Sequence, residues 1–175
     1  GFRFGKPGCR RAGNLSNNSA LQKIIKERIL HFKKTKVFID ANILVSVLNK
    51  EYPLFTHSAR ILSLSGNKNF EIYTSPICLA IAFYFAEKKH KTKAAREKIT
   101  LLCKHIFIAP ATRTVVDKTI NNKKINDFKD GLEYYSAMES ECNFIVTEDI
   151  NDFYFSEIPV LNARAFFEKH VVKKN

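Results

Sequence analysis

From Lys36 onward the chain alternates short runs of β-branched and aromatic residues with longer stretches of helical period, and this alternation restricts its fold more than any other feature. VFI at 37–39, FEIYT at 70–74, HIFIA at 105–109, NFIVT at 143–147 and a brief run at 159–161 read as strands. LVSVLNK leads from the first strand into a helix, and residues 54–64 form another, closed by Gly66. An apolar helix starts at Pro76, a residue suited to the first turn, and runs to about Lys88; further helices cover 92–104, 112–121, 127–141 and 163–168. Strands separated by helices pair in parallel and need both faces covered. The expected class is α/β, a three-layer α/β/α arrangement with a mainly parallel sheet of about five short strands.

Residues 1–35 read differently, as a basic N-terminal extension to a domain over 36–175. GFRFGKPGCRRAGNLSNNS has no sustained hydrophobic period and is expected to be a flexible arm. Ser19 is a candidate cap for a short helix to about Phe32, with Leu21, Ile24, Ile25 and Ile29 at helical spacing. The net charge of +12 resembles a nucleic-acid signature, but residues 1–36 hold ten of the 29 Lys/Arg and only one of the 17 Asp/Glu. The domain itself is therefore only mildly positive, and the arm would add an RNA affinity that weakens with salt. With 45% hydrophobic residues, 15 of them Phe, the chain is neither disordered nor fibrous. Cys9, Cys78, Cys103 and Cys142 show no Cys-x-x-Cys pairing, and three fall in apolar segments where cysteine acts as a small core residue. A reduced, cytoplasmic setting follows. The longest apolar run, Ile77 to Ala86, has ten residues, half of the ~20 that a membrane span needs. No apolar stretch with a cleavage site follows the basic N-terminus, so no secretory signal is expected.

In a parallel sheet, ligands bind beyond the carboxyl ends of the strands, and acids cluster there in this sequence. Asp40 follows VFI directly, Asp127 and Asp130 lie three apart near the start of a helix, and Asp149 and Asp152 follow NFIVT. Three segments thus deliver carboxylates to one edge, the arrangement that Mg²⁺ or Mn²⁺ requires. Such an ion activates a bound water and offsets the charge that develops on a phosphodiester, so no Ser, Cys or His nucleophile is needed. Crowded carboxylates repel one another, and without the ion at least one should have a raised pKa. Plain structural roles compete: Asp127 suits a helix N-cap with Asp130 at N3, and Asp152 suits a turn. Asp40 is harder to explain that way, because an acid at the end of a buried strand is costly without a partner. EKKHKTKAAREK at 87–98 reads as exposed helix and loop; Lys88, Lys89, Lys91, Lys93 and Arg96 are weak candidates for RNA-backbone contact. Tyr134 and Tyr135 suit packing better than base stacking.

VFIDANILVSVL, SPICLAIAFYFAEK, INDFKDGLEYYSAMESECNFIVTEDINDF and IPVLNARAFFEKH, in this order over about 130 residues, resemble the successive motifs of PIN domains. The resemblance implies a metal-dependent endoribonuclease, often the toxin of a bacterial toxin-antitoxin pair, with RNA as substrate, an antitoxin protein as partner, homodimers among its members and Mg²⁺ or Mn²⁺ as cofactor. By position, Asp40, Asp130 and Asp149 match the catalytic, metal-binding acids, with Asp152 a further ligand. Asn42 would orient Asp40 or a ligand water, Thr147 would donate a hydroxyl to the acids, and Asp127 would be a secondary member or the helix cap. One departure stands out. The family usually carries an acid or Asn on the central helix, and the matching residue is Ile81, which with Phe83 and Phe85 reads as core. Glu87 lies about 9 Å further along the axis, too far to substitute. A PIN domain that binds RNA or a protein partner without cleavage is therefore the alternative. A haloacid dehalogenase-type phosphatase ranks below both, since it needs a second Asp where this chain has Asn42.

Overall fold

The structure, a computed structural model, describes Ser19, residues 21–25 and residues 34–172. The chain divides into two units, residues 1–33 and 34–175. In the first, Ser19 and residues 21–25 are helical, and Leu21, Ile24 and Ile25 are exposed. The expected arm and the continuation of this helix to Phe32 lie outside the described residues.

The second unit is built on five strands: β1 (Thr35–Ile39), β2 (Phe70–Thr74), β3 (Phe107–Ile108), β4 (Phe144–Val146) and β5 (Val160–Leu161). All pairs are parallel, in the order β3-β2-β1-β4-β5, so β1 is central. Its Val37 pairs with Ile72 on one side and Phe144 on the other. Val37, Phe38 and Ile39 are wholly buried, which explains why this strand is an unbroken apolar run rather than an alternating one. The helices are α1 (Ala41–Leu48), α2 (Leu54–Ser63), α3 (Pro76–Cys103), α4 (Arg113–Asn121), α5 (Phe128–Glu139) and α6 (Ala163–His170). Helix α1 packs on α3, α2 on α6 and α4 on α5, completing the three-layer α/β/α architecture. No helix among the described residues is long and apolar enough to cross a membrane.

After β1, β2 and β5 the turns into helices are short because the capping residue sits directly at the strand end. Asp40 caps α1, Ser75 caps α3 with Pro76 behind it, and Thr112, Asp127 and Asn162 cap α4, α5 and α6. Three details differ from expectation. Of HIFIA only Phe107 and Ile108 pair, and both are exposed, because β3 lies at the sheet edge. The helices expected over 76–88 and 92–104 join as α3, broken at Lys91, whose φ of 66° lies outside the helical region. Phe85 is 45% exposed rather than core, and lies edge-on to Tyr84, whereas Ile81 and Phe83 do pack on the core.

Gly131 marks where α5 meets α4. A Cβ there would lie 2.5 Å from Thr119 Cγ2 and 2.9 Å from Ile125 Cγ2. Gly131→Ala should therefore destabilise the fold: overpacking costs about 1–3 kcal/mol, against a gain in helix propensity of about 1 kcal/mol. Urea denaturation checks the sign; a raised midpoint would show that α4 and α5 separate freely.

Candidate metal centre

The strand order reverses at β1. The chain moves from β1 outward to β2 and β3, then returns to the other side of β1 for β4 and β5. The turns leaving β1 and β4 therefore diverge, and a crevice opens at their carboxyl ends. Asp40 stands at the end of β1 and Thr147 at the end of β4. The Asp40 N–H donates to Val146 O at 3.0 Å, which ties the two strand ends together.

A saturated hydrogen-bond network orients Asp40. Its Oδ1 accepts the Ala41 N–H, and its Oδ2 accepts the Thr147 hydroxyl at 2.7 Å. Thr147 Oγ1 in turn accepts Asn42 Nδ2 at 2.9 Å and the Asp149 N–H at 3.0 Å. A hydroxyl has one proton and two acceptor sites, so with both sites filled its proton must point at Asp40. Asn42 Nδ2 also reaches Asp149 Oδ2 at 3.1 Å, while its Oδ1 accepts the Glu148 N–H at 3.3 Å. Asn42 and Thr147 thus couple the acid after β1 to the acid after β4.

Deeper in the crevice, one ligand-type atom each of Asp40, Cys78 and Glu133 lies within 4.8 Å of the other two, and all three residues are buried. Cys78 belongs to the first turn of α3 and Glu133 to α5. Neither Glu133 oxygen meets a donor among the described residues. Its contact is with the Asp40 carboxylate, which forms a hydrogen bond only when one of the two acids holds a proton. Burial, the charge of Asp40 and this shared hydrogen bond push the Glu133 carboxyl up to about 9, against the pull of Lys129. Asp130, one turn earlier on α5 and also buried, is raised by burial. Lys129, 2.7 Å away, pulls it down, and the charges of Asp127 and Asp152 push it up again. The Cys78 thiol is raised by burial and by the charges of Glu133 and Asp40. Burial alone would lower the Lys129 ammonium, but Asp130, Glu133 and Asp40 outweigh it and the net shift is upward.

The structure joins some of the expected residues more closely than others. Asp40, Asn42, Thr147 and Asp149 form one hydrogen-bonded set. Asp130 is buried beside Lys129, while Asp149 and Asp152 are exposed on the outer side, where the Asp152 N–H donates to Asp149 O at 3.0 Å. Asp127 caps α5 by accepting the Lys129 N–H at 2.7 Å. The basic run on α3 has other attachments. Lys88 lies 4.1 Å over the Tyr84 ring, Lys89 donates to Asn49 O, Lys91 occupies the helix break, and Lys93 and Arg96 line an open cleft on the second half of α3. None of these five pairs with a site carboxylate among the described residues. Tyr134 packs, its hydroxyl accepting the Glu157 N–H.

Two buried groups escaped the sequence reading. Glu133 had a signal: it lies three residues after Asp130, on the same helical side, and an acid on a buried stripe with Tyr134 and Ala137 is anomalous. Cys78 had none, because cysteine within ICLAIA is what an ordinary core helix contains.

Residues 36–151 match the PIN domain model, and the chain belongs to that family. It is 27% identical over 138 residues to ribonuclease VapC1 of Aquifex aeolicus (strain VF5), a match that covers 77% of this chain and 94% of the relative. Among solved structures, VapBC2 from Rickettsia felis, bound to a DNA fragment from their promoter, aligns with a TM-score of 0.57 at 20% identity, covering 73% of this chain and 98% of that one. VapBC-1 from nontypeable Haemophilus influenzae aligns with a TM-score of 0.57 at 14% identity, over 74% and 99% of the two chains. At these identities the structures establish a shared fold.

Glu133 makes metal-free stability depend on pH. Between its ordinary value of 4.5 and about 9, the folded protein holds a proton that the unfolded chain releases. Its stabilisation is therefore present below that window and is lost as pH rises through it, by up to about 1.4 kcal/mol per pH unit. The shift of Asp130 has the same sign. In chelator-treated protein, Tm should fall between about pH 6 and 8, and Glu133→Gln should flatten the decline. An unchanged slope in the variant would remove Glu133 as its source.

Proposed function

We propose that this PIN domain is a metal-dependent endoribonuclease that hydrolyses RNA phosphodiester bonds, and that it is the toxin of a toxin-antitoxin pair. The observation that carries the reading is the buried meeting of Asp40 and Glu133 at the strand-order reversal, with Asp130 buried one turn earlier on α5. Burying mutually repelling carboxylates is costly unless a cation joins them. The donor set fits one, since neither Glu133 oxygen meets a donor among the described residues. Asp40, Asp130 and Asp149 would hold Mg²⁺ or Mn²⁺, with Glu133 behind them and Asp152 further out. Such an ion, when bound, supplies an activated water and offsets charge on the phosphodiester.

The chain's own residues supply the positioning. Thr147 and the Ala41 N–H hold Asp40 in one orientation. Asn42 fixes Asp149 at the mouth, where RNA would arrive. Lys129 reduces the repulsion that the acids would exert on a phosphate backbone. Lys88, Lys89, Lys91, Lys93 and Arg96 remain weaker candidates for backbone contact. The similarity to ribonuclease VapC1, and to structures described as VapBC, supports RNA as substrate and an antitoxin as partner; a homodimer is a further candidate assembly. Cys78, Cys103 and Cys142 are free, which fits a cytoplasmic setting.

Ile81 favours a second reading, a PIN domain that binds RNA or a protein partner without cutting. Incubation with a mixed single-stranded RNA pool and Mg²⁺ or Mn²⁺ separates the two. Cleavage should occur, stop with EDTA, and fall about a hundredfold or more in Asp40→Asn and Asp130→Asn. An unmodified protein that cleaves nothing with either metal would leave the non-cleaving reading in its place.

A further inference from the structure

The central helix offers no carboxylate at Ile81, yet it does place a ligand-type atom in the crevice one turn earlier, at Cys78. We propose that Cys78 is a metal ligand, and that Asp40, Cys78 and Glu133 form a second, mixed oxygen–sulfur site behind the Asp40, Asp130 and Asp149 set, one that takes a borderline transition cation such as Zn²⁺ or Co²⁺ rather than Mg²⁺. The inference rests on the nuclease reading in taking this crevice as the metal-holding one, and goes beyond it in naming a sulfur donor.

Three observations carry it. The donor atoms come from three separate elements, the end of β1, the first turn of α3 and the middle of α5, and lie within 4.8 Å of one another. Donors sharing one tetrahedral ion lie roughly 3.5–4 Å apart, so the span is close to that of a single site. The second is that Glu133 is wholly buried and neither of its oxygens meets a donor among the described residues. The third observation concerns the sulfur's surroundings. Ser75 donates its hydroxyl to Cys78 Sγ at 3.2 Å while accepting the Cys78 N–H at 3.1 Å. These two bonds hold the sulfur in one orientation at the start of α3. Besides its apolar neighbours in the core, the sulfur has a serine hydroxyl at hydrogen-bond distance and two acids within 4.8 Å.

The selectivity follows from donor chemistry. Mg²⁺ takes oxygen ligands in near-octahedral geometry and gains little from sulfur. Thiolate selects softer ions, and three protein ligands with an open position is the composition of catalytic zinc sites. As the metal–sulfur bond forms, the Cys78 S–H bond breaks and its proton passes to solvent, so binding releases a proton.

The test uses the full chain, stripped with chelator and titrated with Co²⁺. A near-ultraviolet sulfur-to-cobalt charge-transfer band should appear at one equivalent. Cys78→Ser should abolish that band, weaken Co²⁺ and Zn²⁺ binding at least tenfold by calorimetry, and leave Mg²⁺ binding unchanged. Should Cys78→Ser fail to fold, X-ray absorption of the Zn²⁺-loaded unmodified protein decides, with one sulfur shell at about 2.3 Å expected. A band that survives in Cys78→Ser, Co²⁺ bound without a band, or a zinc spectrum with only oxygen and nitrogen shells would overturn the proposal. Failure of the nuclease reading looks different: the band and the sulfur shell would be present, with no RNA cleaved under any metal.

Discussion

The repulsion among carboxylates buried at the carboxyl end of the central strand is the constraint to which the rest of the domain answers. Asp40, Asp130 and Glu133 are each at most 4% exposed, in a region whose other buried groups are largely apolar. Removing several like charges from water costs several kcal/mol apiece unless they are neutralised or joined by a cation. Here the cost appears as raised carboxyl pKa values, most of all at Glu133. The core offsets it. Val37, Phe38, Ile39, Ile72, Ile145 and Val146 are buried almost completely, each worth roughly 1.5–3 kcal/mol.

Holding such a cluster requires that its members sit on rigid elements. Asp40 extends the β1–β4 pairing, caps α1 and aims its carboxylate into the crevice, so it cannot shift without disturbing a strand pair and a helix start. Ser75 similarly caps α3 while bonding the sulfur of Cys78. Glu133 and Asp130 ride on one helix, a turn apart. Only Asp149 and Asp152 lie on exposed backbone, at the short turn after β4, and there Asn42 and Thr147 restrain the first of them. The inner acids are thus preorganised, and the outer pair lies at the exposed mouth of the crevice.

Much of this was legible in the sequence. The runs at 37–39, 70–74 and 143–147 marked strands because they are rich in β-branched and aromatic residues, and 37–39 is unbroken, as double-sided burial demands. The helix at 112–121 and the cap at Asp127 were readable from local chemistry alone. Ends were less legible. HIFIA shrank to two paired residues because pairing depends on the neighbour β2 offers, and Phe85 left the core because helix periodicity does not say which neighbours will cover a face.

The sequence by itself determined that Asp40 and Asp149 would meet, since Asp40 directly follows one strand of a parallel sheet, Asp149 follows another within three residues, and local geometry sends both to the same edge. It also determined that Asp130 would start a helix near them. Only the tertiary structure decided which groups share the buried interior of the site. Glu133 and Cys78 are 55 residues apart; the acid on a buried stripe marks Glu133 as unusual, but nothing local marks Cys78 or says that the two meet. They converge because α3 and α5 both pack near the end of β1. That packing is a sum of many non-local contacts, and no short window of sequence contains it.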